Sequence, residues 1–99
     1  MIKKIKINLH FLRNQKISLI YKVASDIGKN YPINDVRQLA LKLCYDLQHN
    51  SKTIIFNLTD DEVFYMSLML FEIGIDSEDI RIIKWVTRIL KKIERKTRW

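Results

Sequence analysis

The residues best spaced to act together are Arg81, Lys84, Arg88, Lys91, Arg95 and Arg98, which follow one another at steps of 3, 4, 3, 4 and 3. On a helix that spacing draws one basic stripe, opposite an apolar face of Ile82, Ile83, Val86, Ile89, Leu90 and Ile93. A stripe of this kind is able to follow the phosphates of a nucleic acid. The same residues also suit an ordinary surface helix whose last turn complements the helix dipole. A third fit is a helix lying on an anionic membrane with Trp85 and Trp99 at the interface. A second basic set stands at the other end of the chain, where Lys4, Lys6, Asn8 and His10 alternate with Ile5, Ile7, Leu9 and Phe11.

Groups suited to bond-making chemistry are sparse. His10 and His49 are far apart, and Cys44 with His49 lacks metal-ligand spacing, so these three read as packing or surface residues. Asp60, Asp61 and Glu62 have the composition of a magnesium cluster, yet directly after a strand-like run and before an apolar helix they serve equally as a helix cap. Asn57-Leu58-Thr59 matches a glycosylation triplet, a chance match in the absence of a secretion signal. No nucleophile and base pair, glycine-rich phosphate loop or partnered carboxylate set occurs. The expectation is a non-enzymatic protein with no metal, no cofactor and no small-molecule substrate.

These groups need a scaffold, and 99 residues amount to about one domain. A single cysteine rules out an internal disulfide and points to a reducing, cytoplasmic compartment. Asn8, His10 and Arg13 interrupt the start too early for a signal peptide, and no window approaches the roughly 20 apolar residues of a membrane span, so integral membrane association is excluded. Charge is segregated. Residues 1 to 22 carry six Lys/Arg and no acid, residues 81 to 99 carry eight and one acid, and the stretch between has ten acids against four bases. The positive charge thus sits at the two ends, which face one polyanion only if the fold brings them together.

Alternation over Ile5 to Phe11 predicts a half-buried strand. Ile17, Ile20, Tyr21, Ala24 and Ile27 then recur at helical spacing up to Gly28, although Ile17, Leu19, Tyr21 and Val23 also alternate and leave a hairpin open. After Asn30-Tyr31-Pro32, a helix from about Asn34 to Gln48 places Val36, Leu39, Ala40, Leu43 and Leu47 inward. Thr53 to Leu58 predicts a second strand, Thr59 to Glu62 a capping box opening a helix to Gly74, and Asp76 to Asp79 the start of a last helix. The run Phe64, Tyr65, Met66, Leu68, Met69, Leu70 and Phe71 is apolar around most of its helix, which therefore is central or buries a second face against a partner; a homodimer is expected, and the rival to nucleic-acid binding is a small protein-interaction or structural factor whose basic ends only keep it in solution.

The order strand, helix, helix occurs twice. A shift of 46 pairs Leu12 with Leu58, Ile17 with Val63, Ile20 with Met66, Ala24 with Leu70, Ile27 with Ile73 and Gly28 with Gly74. With a shorter second loop, Asp35-Val36-Arg37 then pairs with Asp79-Ile80-Arg81. Two duplicated halves, about 5 to 48 and 52 to 96, are the simplest reading.

A short strand, a leucine at its end, a helix closing on a glycine about sixteen residues on, and a second helix opening Asp-apolar-Arg together resemble the ribbon-helix-helix family of DNA-binding proteins. The resemblance implies an α+β, mostly helical fold: two strand-helix-helix units packed as one domain around a short antiparallel ribbon, a tandem version of an arrangement that family builds from two chains. It implies double-stranded DNA as partner and a role in transcription regulation. Lys4, Lys6, Asn8, Thr53 and Asn57 would read bases from the ribbon, and backbone amides near Asn34 and Ser77 would grip phosphate. The size and Ile/Lys bias are also similar to small proteins of filamentous viruses of hot-spring archaea, which implies a viral protein acting inside its host.

Overall fold

The computed structural model describes residues 1–97. Six elements follow in order: β1 (Lys3–Asn8), α1 (Asn14–Asn30), α2 (Asn34–Gln48), β2 (Thr53–Leu58), α3 (Asp60–Ser77) and α4 (Ile80–Thr97). The fold is α+β and mostly helical, with a two-stranded antiparallel ribbon and four helices. Arg98 and Trp99, named above for the basic stripe and for a membrane interface, lie outside the described residues.

The ribbon forms because each strand alternates. Lys3 pairs with Leu58, Ile5 with Phe56 and Ile7 with Ile54, and all of these but Lys3 are buried on the inner face. Helices close over that face, and buried residues from every element join in one core. Each fully buried Val, Leu, Ile, Phe or Met among them contributes about 1.5–3 kcal/mol. The first strand is shorter than its alternation predicts. The Asn8 side chain accepts a hydrogen bond from the His10 amide and the chain turns, so Phe11 is left 84% exposed while Leu9 and half-buried Leu12 point inward.

That turn also takes up the difference in length between the two strand-to-helix connectors when Leu12 is aligned with Leu58. Leu9 to Arg13 connect β1 to α1, whereas Thr59 alone connects β2 to α3. The extra residues are absorbed in the connector, both strands keep unbroken registers, and Leu12 and Leu58 each stand one place before a helix N-cap. The stretch from Ile17 to Val23 is helical, which settles the hairpin alternative.

Neither glycine ends its helix. Gly28 and Gly74 lie inside α1 and α3, which run on to Asn30 and Ser77. Both are buried where the next helix crosses. A Cβ at Gly28 would stand 2.8 Å from Leu41 Cδ2 in α2, and one at Gly74 would stand 3.7 Å from Val86 Cγ1 in α4. What the two halves share at these glycines is therefore a helix crossing and not a helix end. First helices begin at 14 and 60 and second helices at 34 and 80, so both pairs are 46 apart. The Asp35–Asp79 pairing is out of step with them: Asp35 is inside the first turn of α2, whereas Asp79 precedes α4.

The two glycines respond differently to a methyl group. Gly74→Ala meets only ordinary contacts and gains helix propensity, so it is expected to stabilise the protein by about 0.5–1 kcal/mol. Gly28→Ala must displace Leu41 and is expected to fall short of that gain. Urea unfolding of both variants checks this, and an equal gain at both sites would contradict the crossing geometry.

Candidate nucleic-acid interface

The face of the ribbon turned away from the core carries Lys4, Lys6 and Asn8 from β1 and Thr53, Ile55 and Asn57 from β2. Their cross-strand partners are Lys4 with Asn57, Lys6 with Ile55 and Asn8 with Thr53. Lys4, Lys6, Ile55 and Asn57 are exposed, and Asn8 and Thr53 are half-buried. All five ribbon residues expected from the resemblance thus share one surface. Ile55, 40% exposed, is an apolar member of it.

The chemistry of these positions is unequal. Lys4, Lys6 and Asn57 present exposed polar ends. The Asn8 Oδ1 accepts from the His10 amide at 2.8 Å, which uses one of its two lone pairs and ties the side chain to the turn. The Thr53 hydroxyl lies 3.5 Å from His10 Nε2, which sets an imidazole beside that end of the ribbon.

α4 lies along the outer edge of β1. Trp85 Nε1 donates to the Asn8 carbonyl at 3.0 Å and Lys96 Nζ donates to the Lys4 carbonyl at 2.8 Å. The Leu9 amide bonds across to the Lys52 carbonyl, so by the alternation of an antiparallel ladder the main-chain groups of Lys4, Lys6 and Asn8 point away from β2. α4 therefore covers an edge that would otherwise be open to further pairing. Trp85 is 7% exposed and is spent on this contact, which removes it from any membrane interface.

Arg81, Lys84, Arg88, Lys91 and Arg95 are all exposed, as the spacing predicts, while Ile82, Val86, Ile89 and Ile93 are buried and Ile83 is 40% exposed. At about 100° per residue, Trp85 and Lys96 fall within about 20° of each other, between the buried stripe and the basic one. The basic stripe consequently borders the outer face of the ribbon. The two ends of the chain, each rich in Lys and Arg, are brought side by side.

The phosphate-gripping amides expected near Ser77 are not at a helix start. Ser77 is buried in the last turn of α3, and its hydroxyl donates to the Gly74 carbonyl at 3.0 Å. The start of α4 is occupied by an acid: Asp79 Oδ1 accepts from the Arg81 amide at 2.9 Å and from the Ile82 amide at 3.2 Å. Lys16 of α1 binds the other oxygen of Asp79. Asp79 thus caps the start of α4. At α2 the N-cap is Ile33, with no side-chain capping bond, and Asp35 occupies the first turn.

The remaining reactive groups have structural work. Thr59 and Glu62 form the expected capping box, with bonds of 3.3 and 2.9 Å, and Asp60 lies 3.7 Å from Lys3. Cys44 is buried, with its thiol pKa pushed up by burial and partly offset by Lys29. Among the described residues no group of three or more His, Cys, Asp or Glu is placed to hold a metal ion, and no helix is long and apolar enough to cross a membrane. Comparison of the chain with protein families, with curated proteins and with solved structures found no match.

Sequence reasoning missed the Trp85 and Lys96 contacts with β1 and the Lys16–Asp79 clamp, because each joins residues at least 63 positions apart. The clamp has a pH signature. Lys16 holds the Asp79 carboxyl below the ordinary carboxylate range, burial opposes this, and the Ile82 and Arg81 amides reinforce it. A lowered folded-state pKa stabilises the fold above the ordinary value and loses that contribution as the pH falls through the folded one. Below about pH 4 the wild type is therefore expected to lose stability more steeply than Asp79→Asn, measured as thermal midpoints in acid. Parallel profiles for the two proteins would refute the clamp.

Trp85→Phe is expected to destabilise by about 0.5–1.5 kcal/mol in urea unfolding, since it removes the indole donor to the Asn8 carbonyl at a part-buried contact. Loss of less than about 0.5 kcal/mol would mean the edge is held without that bond.

Proposed function

We propose that this is a non-enzymatic, intracellular protein that binds double-stranded DNA through the outer face of the ribbon, as a regulator of transcription acting without a cofactor. One observation carries the reading: Lys4, Lys6 and Asn57 stand together on an exposed two-stranded face, and the basic stripe of α4 borders it. A two-stranded ribbon fits the major groove in width, and lysine and asparagine reach guanine and adenine edges there. In this reading Lys4, Lys6 and Asn57 face the bases, with Thr53 and Asn8 at one end. Arg81, Lys84, Arg88, Lys91 and Arg95 meet phosphates alongside.

A tandem ribbon-helix-helix arrangement is the form this proposal takes, supported by the element order and the common offset of both helix pairs. A viral source fits a small Ile- and Lys-rich chain of this kind.

Binding of a labelled random duplex, followed by fluorescence anisotropy at about 50 and 200 mM salt, tests the proposal. Six to ten phosphate contacts predict a loss of about 10³ to 10⁵ in affinity over that range. The double variant Lys4→Gln with Lys6→Gln is expected to weaken binding at low salt by at least about tenfold while keeping the helical circular dichroism of the wild type, as expected for the loss of two charged contacts. Absence of wild-type binding at the lower salt, or a double variant that binds like the wild type, would refute it.

A further inference from the structure

The side of α3 that faces away from the core is apolar. Phe64, Phe71 and Ile75 are 52%, 60% and 53% exposed, and Leu68 between them is half-buried. Their spacing of 4, 3 and 4 is that of a heptad seam, and the seam runs about 16 Å along the helix. On the opposite side Val63, Met66, Met69, Leu70 and Ile73 already fill the core. The helix is therefore apolar on two faces, and packing within the chain covers one of them.

Charge indicates what covers the other. α3 contains Asp60, Asp61, Glu62, Glu72 and Asp76 and no Lys or Arg, in a protein whose net charge is +7. Asp61, Glu72 and Asp76 flank one side of the seam and Asp60 the other, at about 100° per residue. Glu72 and Asp76 sit one turn apart as a like-charged pair. Burial raises the Glu72 pKa, and the Asp76 charge and a shared hydrogen bond raise it further. A second copy of the chain laid antiparallel on the seam, Leu68 against Phe71 of the copy, would set Asp61 against Glu78 at both ends. It would also bring Glu72 and Asp76 to a helix that holds no base. Like charges placed this way disfavour self-pairing.

We propose that the Phe64–Leu68–Phe71–Ile75 seam of α3 docks a basic amphipathic helix of another protein, its apolar side on the seam and its Lys or Arg residues beside Asp61, Glu72 and Asp76. Helix-on-helix packing of this kind uses anchors at i, i+4, i+7 and i+11, which is the spacing present. The site is on a different element from the basic ribbon, so it does not depend on the DNA-binding proposal.

The probe is a labelled 18-residue Leu/Lys amphipathic peptide, with a Leu/Glu peptide of the same pattern as control, titrated in fluorescence polarisation without nucleic acid. Sedimentation of the protein alone runs in parallel. The expected result is saturable binding of the Leu/Lys peptide, with none of the Leu/Glu peptide and a monomer in sedimentation. Phe71→Ser is expected to weaken binding about tenfold or more. Glu72→Gln with Asp76→Asn, which leaves the apolar seam intact, is expected to weaken it severalfold and to flatten its salt dependence. Equal binding of both peptides, no binding of either, or full affinity in both variants would overturn the proposal. A concentration-dependent dimer that Phe71→Ser dissolves would overturn it in favour of a second copy. Binding to anionic vesicles lost in the same variant would overturn it in favour of a lipid surface.

Discussion

The ribbon is the part of the structure that cannot stand alone, and the rest of the molecule is arranged around holding it. Two strands of six residues bury one face and expose the other, which in water is marginal without support. Support comes from two directions. Ile5, Ile7, Ile54, Phe56 and Leu58 lose their contact with water beneath the ribbon. From the side, α4 supplies Trp85 and Lys96 as donors to carbonyls that β2 cannot reach. The same contact that secures the edge aligns the basic stripe with the basic strand. Stability and the electrostatic character of this surface therefore share one cause.

Close helix crossings set the frame that makes this possible. Gly28 and Gly74 remove a side chain where α2 and α4 pass, and each second helix then falls back beside its own first helix. The crossing is tighter in the first half, where Leu41 abuts the glycine, than in the second, where Val86 stands off. The corner between α3 and α4 is secured separately, by Glu78 in a left-handed conformation and by Asp79, which Lys16 holds from α1. A side chain of the first half thus positions a helix of the second, which ties the two halves into one packed unit.

Segregation of charge follows the same lines. Acids gather on α3 and at helix starts, where they complement amide groups, whereas bases gather on β1 and α4. The chain presents two surfaces of opposite character, one basic and polar, one acidic and apolar. Neither surface occupies the residues of the other.

Local pattern was enough for much of this. Alternation located the first strand and β-branched and aromatic content the second, the Thr59–Glu62 box and the inner stripe of α2 were readable residue by residue, and 3-4 spacing picked out the exposed basic residues of α4. Such features depend on period and on neighbours a turn away, which the sequence states directly. It could not say where β1 ends, because Phe11 continues the alternation and a side-chain bond from Asn8 stops it. Nor could it separate a glycine that ends a helix from one that lets another helix pass, or a tryptophan at a membrane from one against a strand edge. Those outcomes, and the meeting of the two basic ends, rest on contacts between residues far apart in the chain. Only tertiary packing decides them, because burial and pairing depend on which surfaces meet and not on the order of residues along either one.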